Sequence, residues 1–388
     1  MRVIAALSTL LVTLTSCGGG GGGSPSSQAT LSSPYLSSDQ SSHALQATDI
    51  HVSRHGIRSK NPNTFAHAIA YADFDQDGDT DVFVSGGDTT RNQTSSELYL
   101  NDGNGNFSYD NRFFNGEPPG LVHPRKAITG DFNGDGKPDI FVAGHGYDRA
   151  DFPGESPVLI TSSPNGLTLG QTFPELVDFY HSAASADIDG DQDLDIYLGD
   201  PGNAVFLINN GSGQFSVTKE NLRISSSGYY TAELFDVDKD SYVDLLLAGH
   251  EQDGAITRIY WGSANAVFDV NNSSVLPSIA SYGTVVDIDA GDLDGDGDYD
   301  LVLSRTGDGK GEYDFYQGYY VQVLEATAVR TFEDITTQAA PTLRGTAERT
   351  WIDWLRLQDY NKDGHIDIFA DDAARNLIWL NDGSGNFK

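Results

Sequence analysis

One nine-residue pattern occurs six times in this chain, and its residue types are those that bind a hard cation. The copies read DFDQDGDTD from Asp73, DFNGDGKPD from Asp131, DIDGDQDLD from Asp187, DVDKDSYVD from Asp236, DLDGDGDYD from Asp292 and DYNKDGHID from Asp359. Calcium takes six to eight oxygens at about 2.3–2.6 Å. Side-chain oxygens at positions 1, 3 and 5 of a tight loop converge on one point. A main-chain carbonyl at position 7 and a carboxylate at position 9 complete the shell. In the first copy this set is Asp73, Asp75, Asp77, Asp79 and Asp81, and in the second Asp131, Asn133, Asp135, Lys137 and Asp139. The third offers Asp187, Asp189, Asp191, Asp193 and Asp195, and the fourth Asp236, Asp238, Asp240, Tyr242 and Asp244. Asp292, Asp294, Asp296, Asp298 and Asp300 form the fifth set, and Asp359, Asn361, Asp363, His365 and Asp367 the sixth. The position-7 residue contributes only its carbonyl, so its side chain is free to vary. About six Ca²⁺ ions are expected, one per copy. The fourth copy departs furthest from the pattern, with Lys239 beside its ligands and Tyr242 at position 7.

A helical EF-hand would need a Glu at position 12. Val84 stands there in the first copy, and the flanks read as strands. The overall charge fits bound metal. Of 56 acidic residues, 25 lie in the six windows, and the formal charge is −33. Without metal these loops would crowd like charges with nothing to offset them. Six calcium ions bring twelve positive charges and a net of −21. So acidic a surface repels phosphate, which excludes nucleic acid as a partner.

The elements that carry the loops repeat as well, at intervals of 58, 56, 49, 56 and 67 residues. Small or apolar runs such as AHAIAYA and HSAASA precede the loops, and β-rich runs such as DVFVSGG and DLLLAGH follow them. A third run (ELYLN, AVFLI, NLIWL) leads to a Gly/Asn turn such as NDGNGNF that opens a fourth. Four short strands per unit of this length predict a blade, and six units predict an all-β, six-bladed propeller. The pattern D-x-[DN]-x-D-x-x-x-D resembles the calcium loop of the FG-GAP/VCBS repeat family, whose members form the integrin α-chain propeller. The resemblance spans about residues 60–388. It implies a calcium loop between the first two strands of each blade. The last unit ends as its fourth strand should begin, so DIHVSRHGI at 49–57 is expected to supply that strand and clasp the ring.

On this plan the loops and Gly/Asn turns share one face, and the opposite mouth holds the entries to the inner strands. His67, Arg125, His181, Tyr230, Val286 and Asp353 stand six residues before their loops and should ring that mouth. His145, Tyr147, Asp148, Arg149, His250, Glu251, Arg305 and Asp372 follow the second strands. From these groups His67, Arg125, His145, His181, Tyr230, His250, Arg305 and Asp353 are the candidate ligand contacts. Such a mixture suits a glycan or an acidic protein side chain. No G-x-S-x-G, H-E-x-x-H or catalytic cysteine occurs. The expectation is therefore a non-catalytic binding or adhesion module. The alternatives are a lyase acting on acidic polysaccharide, with His67, His181 or Tyr230 as base and Arg125 on the sugar carboxylate, and a structural partner in an envelope assembly.

The N-terminus predicts export. Arg2 precedes an apolar run, Val3 to Leu14, too short to span a membrane, and Leu14-Thr15-Ser16-Cys17 resembles a bacterial lipobox. Cys17 is the single cysteine, so no disulfide braces the fold. Residues 1–16 are expected to be a leader, 17–47 a flexible Gly/Ser tether, and 48–388 the propeller. Gly18 after a lipidated Cys17 favours the outer membrane by resemblance to lipoproteins of two-membrane bacteria. The folded body, a monomer on this reading, would meet the membrane only through its lipid.

Overall fold

Each Asp-rich loop begins where the first strand of a blade ends and finishes where a mostly apolar second strand begins. This unit repeats around a ring. The computed structural model describes residues 64–88, 92–147, 152–224, 228–340, 344–345, 351–370 and 377–388, all within one compact unit, Pro34–Lys388. Among the described residues the strands form six antiparallel blades. Blade 1 runs Thr64–Ala72, Asp81–Asp88, Glu97–Asn101 and Phe107–Tyr109, and blade 2 Pro124–Gly130, Asp139–Gly144, Val158–Thr161 and Thr168–Thr172. Blade 3 holds Ser182–Ala186, Asp195–Gly199, Val205–Ile208 and Ser216–Thr218, and blade 4 Tyr229–Phe235, Asp244–Gly249, Arg258–Tyr260 and Ser273–Val275. Blade 5 is Thr284–Gly291, Asp300–Thr306, Tyr319–Ala328 and Thr331–Asp334. Blade 6 contains Leu355–Gln358, Asp367–Ala370 and Ile378–Trp379, and an isolated bridge pairs Asn381 with Phe387 where a fourth strand starts. The expected six-bladed all-β propeller is what the chain forms.

Composition explains which strand goes where. Backbones crowd at the axis, so the inner strand of blade 3 is SAASA, buried at every residue. Second strands are covered on both faces by neighbouring blades and are continuously apolar, as in DLLLAG of blade 4. The core accordingly lies in the seams between blades. Phe141, Phe173, Leu198 and Leu207 fill the seam of blades 2 and 3, and Tyr197, Phe206, Leu247 and Phe268 that of blades 3 and 4. Each such side chain adds roughly 1.5–3 kcal/mol over its exposed state. Truncating Phe206, which has no exposed surface, to Ala should cost about 3–5 kcal/mol.

The axis itself is polar. Lys126 of blade 2 reaches Glu233 of blade 4 at 3.3 Å and Asp287 of blade 5 at 3.8 Å, and its ammonium lies 4.9 Å from the centre of the Trp354 ring. Arg356 of blade 6 stacks 5.7 Å from the Tyr71 ring of blade 1, so first and last blades meet. The leader, Cys17, the tether and the expected clasp at 49–57 lie outside the described residues, as do Asp148, Arg149 and Asp372. Among the described residues no helix is long and apolar enough to cross a membrane.

Candidate functional site: six acidic loops and an aromatic mouth

The loops are built by the aspartates they contain. In every blade the position-9 Asp is buried and joins three segments. Its Oδ2 accepts the backbone N–H of position 2, from Phe74, Phe132, Ile188, Val237, Leu293 and Tyr360, at 2.8–3.1 Å. Its Oδ1 accepts an N–H after or within the third strand, from Asn101, Ser162, Asn209, Gly262, Ala326 and Asn381, at 2.6–2.9 Å. Desolvation raises these carboxyls, Asp81 to about 7 and Asp244 to about 8. The position-1 Asp turns the loop, as when Asp73 accepts from Asp77 and Gly78 at 3.0 Å.

This folding brings carboxylates together. Asp73, Asp75 and Asp81, then Asp187, Asp189 and Asp195, Asp236, Asp238 and Asp244, and Asp292, Asp294 and Asp296 each offer oxygens within 4.8 Å of one another. Among the described residues four Asp triads can therefore hold a metal ion such as Ca²⁺. The second and sixth loops have Asn133 and Asn361 at position 3, which lowers their ligand charge. In loop 2 the Asn133 amide donates to Asp139 Oδ1 at 3.2 Å. The Gly/Asn turns share this face, and glycine is required at two of them. A Cβ at Gly103 or Gly211, both at positive φ, would lie 2.5 or 2.4 Å from a carboxylate oxygen of Asp79 or Asp193.

The mouth lies at the opposite ends of the same strands. Register breaks place its residues. The pairing of first and second strands slips between Ala66 and Ala68, Pro124 and Lys126, Tyr229 and Thr231, and Val285 and Asp287. The residue skipped each time is the one six before the loop: His67, Arg125, Tyr230 and Val286. A bulged residue is left out of the ladder and re-aimed. The bulged Arg125 and Tyr230, together with His181, His145 and His250, line one cavity of about 720 Å³.

The remaining candidates are placed differently. Asp353 sits beside the cavity, 4.0 Å from Arg125. The side chain of His67 lies outside the described residues. Arg305 is not at the mouth. It is fully buried in blade 5, bonded to Gln322 Oε1 at 2.6 Å and paired with Glu251 at 3.1 Å, so it braces the blade.

The cavity is far more aromatic than its candidates suggested. Phe152, Phe179, Phe315, Tyr316 and Trp351 complete its wall. Ring centres follow one another as a chain: Phe152–Phe179 5.2 Å, Phe179–His145 4.2 Å, His145–His181 4.7 Å, His181–Tyr230 4.6 Å and Tyr230–His250 4.1 Å. It continues through His250–Phe315 at 5.0 Å, Phe315–Tyr316 at 4.3 Å and Tyr316–Trp351 at 4.9 Å. A signal for part of this was present. His123, Phe179 and Trp351 share one offset, eight residues before their loops. Phe152, Phe315 and Tyr316 come from second-to-third connections, which have no common offset.

Burial keeps the wall histidines His145 and His181 uncharged, and Arg125 and Asp200 are the wall's ionisable exceptions. Burial holds His145 and His181 far below the ordinary histidine value, helped by Arg125 and neighbouring histidines, so both are uncharged at neutral pH. The His145 Nδ1 faces the Gly146 carbonyl at 3.1 Å and therefore carries its proton. Glu155 fixes this corner, accepting from the N–H groups of Val122, His123 and Gly146 at 2.7, 2.9 and 3.0 Å. Arg125 Nε and His181 Nε2 make no hydrogen bond among the described residues.

Comparison with known proteins agrees with the repeat reading. Residues 73–142 and 187–247 match the FG-GAP-like repeat. The fold is similar to that of an Agrocybe aegerita lectin that recognises non-reducing terminal N-acetylglucosamine, at 17% identity over 83% of this chain and 79% of that one, with a TM-score of 0.45. It is also similar to a Lactobacillus plantarum protein, at 14% identity over 81% and 83% with a TM-score of 0.37. An exo-β-1,3-galactanase from Clostridium thermocellum shows 12% identity over 83% and 77%, with a TM-score of 0.37. No curated protein matches the sequence. The chain carries FG-GAP-like repeats in a six-bladed β-propeller with metal-competent Asp clusters in its loops.

Proposed function

We propose that this protein is a non-catalytic, calcium-stabilised binding module of the bacterial cell envelope, lipidated at Cys17, whose mouth takes an acidic glycan. The observation that carries the reading is the unbroken chain of rings around the cavity. The C–H faces of a sugar ring are apolar and pack on aromatic faces, while its hydroxyls need a few placed polar partners. Phe152, Phe315 and Trp351 are 53%, 45% and 37% exposed, an arrangement that leaves apolar faces open to a ligand. Arg125 supplies the charge preference. It stands beside the uncharged His145 and His181, with Asp353 no closer than 4.0 Å, which leaves its fork available to a sugar carboxylate.

A glycan array on the purified full chain, with and without calcium, tests this. The expected result is binding of uronate-bearing glycans, weakened at least tenfold in Arg125→Gln. Absence of any glycan signal, with recovery of a single envelope protein, would replace it with an assembly role. One arrangement favours a second reading: Arg125, His181 and Tyr230 share a wall, as a lyase acting on uronate polymers would require. Appearance of an unsaturated, ultraviolet-absorbing sugar end on incubation with such polymers would establish that reading instead.

A further inference from the structure

On the loop face, position 3 of two loops is covered by a glycine from the third-to-fourth turn of the following blade. Gly213 of blade 3 lies over Asn133 of blade 2, where an added Cβ would stand 3.4 Å from Asn133 Cβ. Gly385 of blade 6 lies over Asp294 of blade 5 in the same way, at 3.5 Å. Both covering residues are glycines and bring no charge to the metal ligands beneath them.

Blade 5 breaks this pattern. Its third and fourth strands, Tyr319–Ala328 and Thr331–Asp334, are joined by a turn without glycine, and Arg330 occupies the left-handed region with φ 61°. The side chain crosses to the loop of blade 4. Arg330 Nε donates to Asp238 Oδ2 at 2.5 Å, and Nη2 donates to Asp240 Oδ2 at 3.0 Å. The guanidinium is held from behind, 4.8 Å from the centre of the Trp261 ring. Asp238 and Asp240 are positions 3 and 5 of the loop, the side chains a calcium ion would take. A guanidinium has five donors and no acceptor, so it answers carboxylates but offers nothing to a metal. A second basic group lies on the same loop: Lys239 donates to the Gly297 carbonyl and stands 4.1 Å from the centre of the Tyr299 ring. The fourth window holds four acids, so Lys239 and Arg330 leave it at −2, against −5 for the windows of blades 1, 3 and 5.

We propose that Arg330 is the built-in cation of the fourth loop, and that blade 4 takes no calcium while loops with the same Asp triad in other blades do. The Asp236, Asp238 and Asp244 oxygens are as close together as in those blades. The difference is that two of the loop's carboxylates already face a fixed positive charge, and a divalent ion at 2.3–2.6 Å from the same oxygens would be pressed against it. The loop keeps its fold because the arginine, delivered by the next blade, neutralises it.

The test is calcium stoichiometry on the full chain, stripped with chelator and dialysed to equilibrium against saturating Ca²⁺, with bound metal measured per chain. Arg330→Ala and Arg330→Gln should each bind one ion more than the unaltered protein. Asp238→Asn in the unaltered background should leave the number unchanged, whereas Asp189→Asn in blade 3 should lower it by one. In the Arg330→Ala background, Asp238→Asn should remove the ion gained. Equal stoichiometry with and without Arg330, loss of an ion in Asp238→Asn alone, or no bound calcium in any of these proteins overturns the proposal. The Asp238→Asn measurement stands even if both Arg330 variants fail to fold.

Discussion

The two faces of this propeller use the same strands for opposite purposes. On the loop face one residue type recurs at fixed positions, and each position-9 Asp repeats the same two kinds of backbone bond in six blades. On the mouth face no single residue type holds a position through all the blades: Arg125, His181 and Tyr230 occupy equivalent places with unrelated chemistry. The loops answer a need that every blade shares, to close a tight turn and neutralise its charge. The mouth answers a need that arises once per molecule, since among the described residues blades 2 to 6 border a single cavity. Repetition therefore marks the framework, and variation at equivalent positions marks where specificity can be written.

Removing calcium should separate the faces most strongly. With Kd values of about 10⁻⁴–10⁻³ M, 1 mM calcium contributes roughly 0.4–1.4 kcal/mol for each loop that binds it. Chelation should thus lower stability by several kcal/mol in total, read as a drop in Tm. At 25 °C the affinity of the mouth for its glycan should change less than twofold. A large loss of affinity without unfolding would mean that the faces are coupled.

The next largest effect belongs to a single framework carboxylate. Asp195→Ala strands the N–H groups of Ile188 and Asn209 and should cost about 3 kcal/mol in urea unfolding, even at saturating calcium. A neutral outcome would mean that the loop is held by metal alone. At the mouth the ranking reverses. Trp351→Ala should weaken glycan binding about tenfold, some 1.4 kcal/mol, by titration calorimetry, with Tm within about 2 °C of the parent.

The smallest effect per residue is a pH dependence that originates at the mouth. Burial lowers His145 and His181, beside His123, Arg125 and His250, while in the unfolded chain both titrate near about 6.5. Below that pH the unfolded state binds protons that the folded state refuses, so stability is present at neutral pH and lost as pH falls. At pH 5.5 the loss should be on the order of 1 kcal/mol for each histidine. Thermal melts at pH 7.5 and 5.5 in saturating calcium would show it, and His181→Gln should reduce the difference.

Much of this architecture was legible before any coordinates. The offsets within each unit determined the blade count, the loop positions and the face they occupy, because a propeller blade is built from local hairpins whose partners are near in sequence. The equivalence of His181 and Tyr230 followed from the same arithmetic. What the sequence could not determine lies between units. Arg305 was expected after a second strand as His145 and His250 are, yet it lies inside Asp300–Thr306 and folds inward, where it meets Glu251 and Gln322. Phe152, Phe315 and Tyr316 join the mouth from connections of unequal length, and Arg330 reaches Asp238 across 92 residues and a blade boundary. Local spacing determines each blade because its bonds are short-range. Only the closed ring decides which side chains of different blades meet, and those meetings make both the cavity and the one loop that carries its own cation.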